Sequence, residues 1–135
     1  EEGLAFSNAI LGAVHAMAHS LGGYLDLPHG ECNAILLPAV VAFNYEACPE
    51  RYDAIAEAMG VDLCGMEKGE RRDWLVKKIM QLRDDVGILP SIGHFGVKKT
   101  DIPRLAEFAL QDACMATNPR LMTHEDVEGL YESLI

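Results

Sequence analysis

Three of the five histidines, His15, His19 and His29, fall within one short stretch, Val14–Asn33, which reads VHAMAHSLGGYLDLPHGECN. Neutral imidazole is the commonest protein ligand for a transition metal, and it also moves protons near neutral pH. His15 and His19 are four positions apart, so on a helix both rings project from one face, one turn apart. His29 follows Gly22-Gly23, Asp26 and Pro28, residue types that turn a chain and can return it to that face. The chemistry on offer is metal coordination or proton transfer. The ordinary alternative, histidines bonded to backbone or lying on the surface, accounts for most lone histidines, and three together weigh against it. By spacing alone His15 and His19 read as paired ligands, as in HExxH zinc helices, although the glutamate of that motif is absent. His29 then reads as a third ligand or as a group behind the ligands. Asp26 and Glu31 lie nearby, but a turn and a helix start explain them equally well. His94 and His124 stand alone, and His124 suits the first turn of a final helix.

The elements that must position these rings are helical. Ile10, Val14, Met17, Ala18 and Leu21 form one apolar stripe, with Gly22-Gly23 as its expected stop. Leu11, His15, Ala18, His19 and Gly22 form an adjoining stripe, which puts the histidines at the border of the buried face. A second helix is expected from His29 to about Asn44, kinked or locally broken at Pro38. Pro49 opens a short helix that reaches Met59 and stops at Gly60. Between Lys68 and Val86 the residues Leu75, Ile79, Leu82 and Val86 keep helical spacing, and Gly87 and Pro90 close the segment. Ser91 to Gly96 reads as a loop. Thr100 to Pro103 reads as a helix start, followed by a face of Leu105, Phe108, Ala109 and Asp112. Thr123 is a good N-cap, with Asp126 three residues on and Val127, Leu130, Tyr131 and Leu134 as the apolar face. No segment alternates as a strand does. The expected fold is all-α, a bundle of about six helices in a single domain over residues 1–135. Glu1 to Phe6 already reads as helix without an N-cap, so the chain is expected to be cut from a longer one.

Half of the residues are apolar, enough for a real core, and 21 acidic against 11 basic residues give a net charge of -10. Such a surface repels phosphate backbones, so no nucleic-acid partner is expected. The longest apolar run, residues 34–43, is ten residues with Pro38 inside it, against about 20 needed to span a bilayer, so no membrane segment is expected either. There is no signal-peptide pattern at the N-terminus. Cys32, Cys48, Cys64 and Cys114 form no CxxC pair and read as reduced packing thiols, which suits a cytoplasmic protein. GxGxxG, P-loop and GxSxG motifs are absent, and Gly22-Gly23 is a helix stop more readily than a phosphate cradle.

The run HAMAHSLGGYLDLPHGECNAILLP resembles the signature of the iron-containing (group III) alcohol dehydrogenases, roughly GxxHxxAHxxGxxxxxPHG. Gly12, His15, Ala18, His19, Gly22, Pro28, His29 and Gly30 match it as they stand. The likeness extends to Ala5-Phe6-Ser7-Asn8 before the motif, to Asn33 through Pro38 after it, and to Asn118-Pro119-Arg120. It implies an enzyme of two domains, an N-terminal α/β domain for NAD(P) and a C-terminal helical domain for the metal, of which this chain is most of the second. The metal is usually Fe(II), sometimes zinc, held by one Asp and three His. Carried over, His15 and His29 are the metal ligands, and His19 lies beside the nicotinamide and substrate as a proton-relay or positioning group. This replaces the pairing of His15 with His19 that spacing alone suggests. Phe6 and Cys114 are implied as substrate-pocket residues, with core packing an equal alternative for both. The first two ligands, an Asp and a His four apart on an earlier helix, are not in this sequence, nor are the nucleotide-binding glycines. The implied activity is reversible oxidation of a small alcohol to an aldehyde or ketone, with the metal as Lewis acid and hydride passing to the nicotinamide. The chain alone is expected to bind metal poorly and to be inactive. The implied partners are a small alcohol or aldehyde, the missing N-terminal domain and, in a homodimer, a second copy. A zinc-dependent relative of the glycerol dehydrogenase or dehydroquinate synthase kind, and a self-standing helical interaction module, are the competing readings.

Overall fold

The computed structural model describes residues 12–135, and among them there are six α-helices and no strand. The helices are α1 (Gly12–Leu25), α2 (His29–Asn44), α3 (Pro49–Ala58), α4 (Lys68–Asp85), α5 (Ile102–Gln111) and α6 (His124–Glu132), joined by short turns and single 3₁₀ turns. The all-α expectation is met. The helix read into Glu1 to Phe6 lies outside the described residues.

α1 is the element around which the others gather. It packs against α2, α5 and the 3₁₀ segment Ala113–Thr117, while α6 rests on α5 and α4 rests on α2 and α3. Its stripe of Ala13, Val14, Met17, Ala18 and Leu21 is buried against Ile35, Leu36, Val40 and Val41 of α2, with Leu105, Ala106 and Ala109 of α5 in the same core. Two buried side-chain hydrogen bonds fix the angles: the Ser20 hydroxyl donates to the Leu105 carbonyl at 2.7 Å, and the Tyr131 hydroxyl donates to the Met17 carbonyl at 2.8 Å. Each satisfies a hydroxyl that would be costly to bury unpaired.

Four local expectations are corrected. α1 does not stop at Gly22-Gly23 but continues to Leu25, where Asp26 turns left-handed (φ 54°) and its N–H reaches the Gly22 carbonyl at 3.0 Å. Glycine weakens a helix without ending it, whereas a left-handed residue ends it. α2 is not broken at Pro38 but continues through it, with buried Ile35, Leu36, Val40 and Val41 on either side. On α4, Leu75 is buried but Leu82, like Val86 just beyond the helix, faces solvent, and Arg83 is buried in their place. Its long stem covers apolar surface while its head meets the Asp84 carboxylate at 3.1 Å. Ser91 to Gly96, read as a loop, contains one 3₁₀ turn, Ile92–Phe95. The last helix starts as expected, with a capping box between Thr123 and Asp126 and His124 in the first turn.

Arg71 of α4 closes the turn between α3 and α4. Its guanidinium donates to the Asp53 carboxylate at 3.0 Å, to the Met66 carbonyl at 3.0 Å and to the Leu63 carbonyl at 3.1 Å. Asp53 also accepts a hydrogen bond from the Tyr45 hydroxyl, whose pKa is pushed up by burial first and by that bond second. Arg71→Ala is expected to leave all three acceptors short of a donor and to lower stability by about 2 kcal/mol, read as a lower denaturant midpoint. An unchanged midpoint would show that water replaces the guanidinium at no cost.

Candidate metal centre

Three imidazoles gather at one corner of the domain. α1 presents His15 and His19 one turn apart. The turn after α1 delivers His29 as the first residue of α2, with Pro28 in extended conformation (φ -65°, ψ 122°) before it. The ring centroids of His15 and His29 are 6.3 Å apart, those of His15 and His19 6.3 Å, and those of His19 and His29 5.3 Å. The structure therefore brings together all three histidines singled out from the sequence. Imidazoles bound at about 2.1 Å to a common ion put their centroids roughly 5–6 Å apart, close to the spacings of these rings.

Their surroundings differ. His15 is half-buried, and burial first, then the neighbouring His19 and His29, hold its pKa below the ordinary imidazole value. The shift favours the neutral ring, the form that ligates. The His29 Nε2 lies 3.0 Å from the Asn33 Nδ2, one turn along α2. The Asn33 Oδ1 is buried, with no hydrogen-bond partner among the described residues. A buried amide oxygen left unpaired beside an imidazole is unfavourable in an isolated helix corner and reasonable at a polar site closed by something further. His19 is exposed, and its Nδ1 is bonded to the Asp112 Oδ2 at 2.9 Å.

Asp112 ends α5 and opens the segment that carries Cys114. Its other oxygen, Oδ1, accepts the Cys114 backbone N–H at 2.8 Å. Burial raises the Asp112 pKa, but the hydrogen bonds from Cys114 and His19 together outweigh it and leave the carboxyl below the usual carboxylate range. The Cys114 thiol is pushed up by burial, then by its hydrogen bond to Asp112 and by the charge there. Among the described residues His19, Asp112 and Cys114 are the one group of His, Cys, Asp or Glu whose ligand atoms all lie within 4.8 Å of one another. Both Asp112 oxygens are already engaged, so this group is a hydrogen-bonded network as it stands.

The sequence reading placed Asp112 on an apolar helix face and gave it no role. The signal was available: an Asp two residues before Cys114 at the end of a helical pattern is an Asx turn, whose carboxylate is fixed in place. Cys114 itself is half-buried, with its thiol within 4.8 Å of a His19 ring nitrogen, whereas Phe6 lies outside the described residues. Asn118, noted within Asn118-Pro119-Arg120, exchanges two amide hydrogen bonds with Asn44 at 2.8 and 2.9 Å and accepts the Ala13 N–H at 3.3 Å, tying α1 to α2. Arg120 donates to the Phe43 carbonyl at 2.7 Å and stacks on the Phe43 ring at 4.0 Å.

Residues 2–135 match the family model described as the Fe-containing alcohol dehydrogenase family, C-terminal. The chain belongs to this family. Within it the chain is 47% identical over 131 residues to the lactaldehyde reductase of Escherichia coli (strain K12), which covers 97% of this chain and 34% of that protein. It is 42% identical over 129 residues to the 1,3-propanediol dehydrogenase of Klebsiella pneumoniae, covering 96% of this chain and 33% of that one. Among solved structures it matches an alcohol dehydrogenase from Oenococcus oeni with a TM-score of 0.90 at 43% identity, over 98% of this chain and 35% of that one. The chain thus spans about a third of the length of the Fe-containing alcohol dehydrogenases it matches. No helix of the described residues is long and apolar enough to cross a membrane.

Proposed function

We propose that this chain is the metal-facing part of an NAD(P)-linked alcohol dehydrogenase that interconverts a short alcohol and its carbonyl product. The observation that carries the reading is the convergence of His15, His19 and His29 from two helices on one corner, with ring centroids 5.3–6.3 Å apart. In this reading His15 and His29 hold an Fe(II) ion, or zinc in its place. Two imidazoles fall short of the three or four protein ligands such a site requires, so the remaining ligands and the nucleotide come from the rest of the parent protein. The ion, when bound, supplies Lewis acidity toward the substrate oxygen.

The chain's own residues do the rest. His15, whose lowered pKa favours the ligating form, and His29, oriented by Asn33 and by the rigid Pro28, are the two imidazoles this chain offers the ion. His19, one turn from His15 and exposed, takes up the hydroxyl proton during oxidation and returns it during reduction. Cys114, fixed by the Asp112 turn with its thiol within 4.8 Å of a His19 ring nitrogen, is the residue of this chain assigned to the substrate pocket. The lactaldehyde reductase and 1,3-propanediol dehydrogenase relatives are named for three-carbon compounds, and a short alcohol or diol is the substrate class proposed here. Four free cysteines suit a cytoplasmic setting.

The test uses the full-length protein loaded with Fe(II). It is expected to form reduced nicotinamide from 1,2-propanediol or 1,3-propanediol, with NAD or NADP, and to lose this activity on chelation and regain it with Fe(II). Turnover that survives complete removal of metal would overturn the reading.

A further inference from the structure

We propose that Asp112 is a positioning residue for His19, fixing the tautomer of its ring with the proton on Nδ1 and Nε2 left as the acceptor. The inference rests on the reading of His19 as the proton-moving group. A carboxylate can only accept, so the 2.9 Å contact between the Asp112 Oδ2 and the His19 Nδ1 requires a hydrogen on that nitrogen. The contact joins α1 to the segment after α5 across a sequence separation of 93 residues, so it is built by the fold. Capping the 3₁₀ turn Ala113–Thr117 needs only one oxygen, and Oδ1 does that through the Cys114 N–H. The second oxygen is left free to be aimed, and it is aimed at His19. Bonds from Cys114 keep the carboxyl ionised, hence acceptor-only.

The two side chains sit on the wall of a cavity of about 380 Å³ lined also by Ser20, Gly23, Tyr24 and Phe108. Their side chains are 46% and 22% exposed, and a polar contact so placed contributes under about 1 kcal/mol to stability. The pair therefore does little for the fold, and its consequence lies in the direction and state of the ring.

Asp112→Asn separates the two uses of the carboxylate. The amide oxygen can keep the Cys114 N–H, so the turn is preserved. The amide nitrogen then faces the His19 Nδ1 and donates to it, which drives the ring hydrogen to Nε2, the reverse tautomer. In the metal-loaded full-length enzyme Asp112→Asn is expected to lower kcat by about 10–100-fold, with KM, metal content and unfolding midpoint close to the parent's. Nitrogen NMR of histidine-labelled protein is expected to show the protonated ring nitrogen of His19 change from Nδ1 to Nε2. An unchanged tautomer, or loss of metal in Asp112→Asn, would overturn the assignment. So would a parental kcat in Asp112→Asn beside a depressed one in His19→Ala. If His19→Ala itself keeps the parental kcat, the relay reading fails instead, and the NMR result still decides the tautomer.

Discussion

Replacing either His15 or His29 by alanine in the full-length protein is expected to empty the metal site, while replacing His19 leaves the metal bound and slows turnover. The two outcomes follow from what each ring already does. His15 is half-buried, with its pKa lowered by burial and by two neighbouring imidazoles, and His29 is oriented by Asn33 at 3.0 Å. Among the described residues neither ring is hydrogen-bonded to a carboxylate, and the one contact on the His29 Nε2, from the neutral Asn33 amide nitrogen, is a bond that an ion can displace. His19 is committed through Nδ1 to Asp112. Loss of one of only two donors supplied by this chain is expected to lower metal affinity by more than the 10–100-fold typical of a supporting group. Loss of His19 is expected to cost about 10²–10⁴ in kcat, the range for a positioned acid or base, at unchanged metal content. Elemental analysis of the purified variants, read beside steady-state rates, separates the two. The rival grouping of His19, Asp112 and Cys114 by proximity predicts the opposite pattern. If His19→Ala strips the metal and His29→Ala retains it, that grouping is the metal site and the assignment of His15 and His29 is wrong.

Much of this arrangement was legible from the sequence, and the parts that were not share a cause. The helices of residues 29–44, 49–58 and 124–132 follow from caps, prolines and apolar spacing, which are local. The three histidines follow from type and spacing, also local. What periodicity could not give was the relation between α1 and residues 112–118, separated by about 100 positions yet packed together. Asp112 therefore looked like the end of an apolar stripe, and its partner His19 could not be named. Leu82 and Val86 failed for the same reason: a stripe says which residues share a face, whereas burial depends on whether another element covers it. Gly22-Gly23 failed differently, since a helix held on both sides by α2 and α5 tolerates glycine and ends only where Asp26 turns left-handed.

Gly12→Ala is the second substitution expected to have a large effect, and it acts through that same long-range contact. A Cβ at position 12 would lie 2.2 Å from the Cys114 carbonyl oxygen, 2.4 Å from the Thr117 Oγ1 and 2.9 Å from the Asn118 N. Two of the three are backbone atoms, and the Thr117 hydroxyl is held by the Cys114 carbonyl at 2.8 Å, so no flexible end can swing aside. The whole segment Ala113–Thr117 must move away from α1, taking Asp112 away from His19 and loosening the Ala13 to Asn118 hydrogen bond. Overpacking of this kind costs about 1–3 kcal/mol, against which the better helix propensity of alanine recovers at most about 1 kcal/mol. The expected result is a lower thermal midpoint together with a lower kcat, because Asp112 and Cys114 move as one. Gly23 in the same helix is the control, with nothing within 4 Å of its Cβ position, so Gly23→Ala is expected to be neutral or to raise the midpoint. If Gly12→Ala is as stable as Gly23→Ala, the close approach of α1 to the Cys114 segment is not what holds Asp112 against His19.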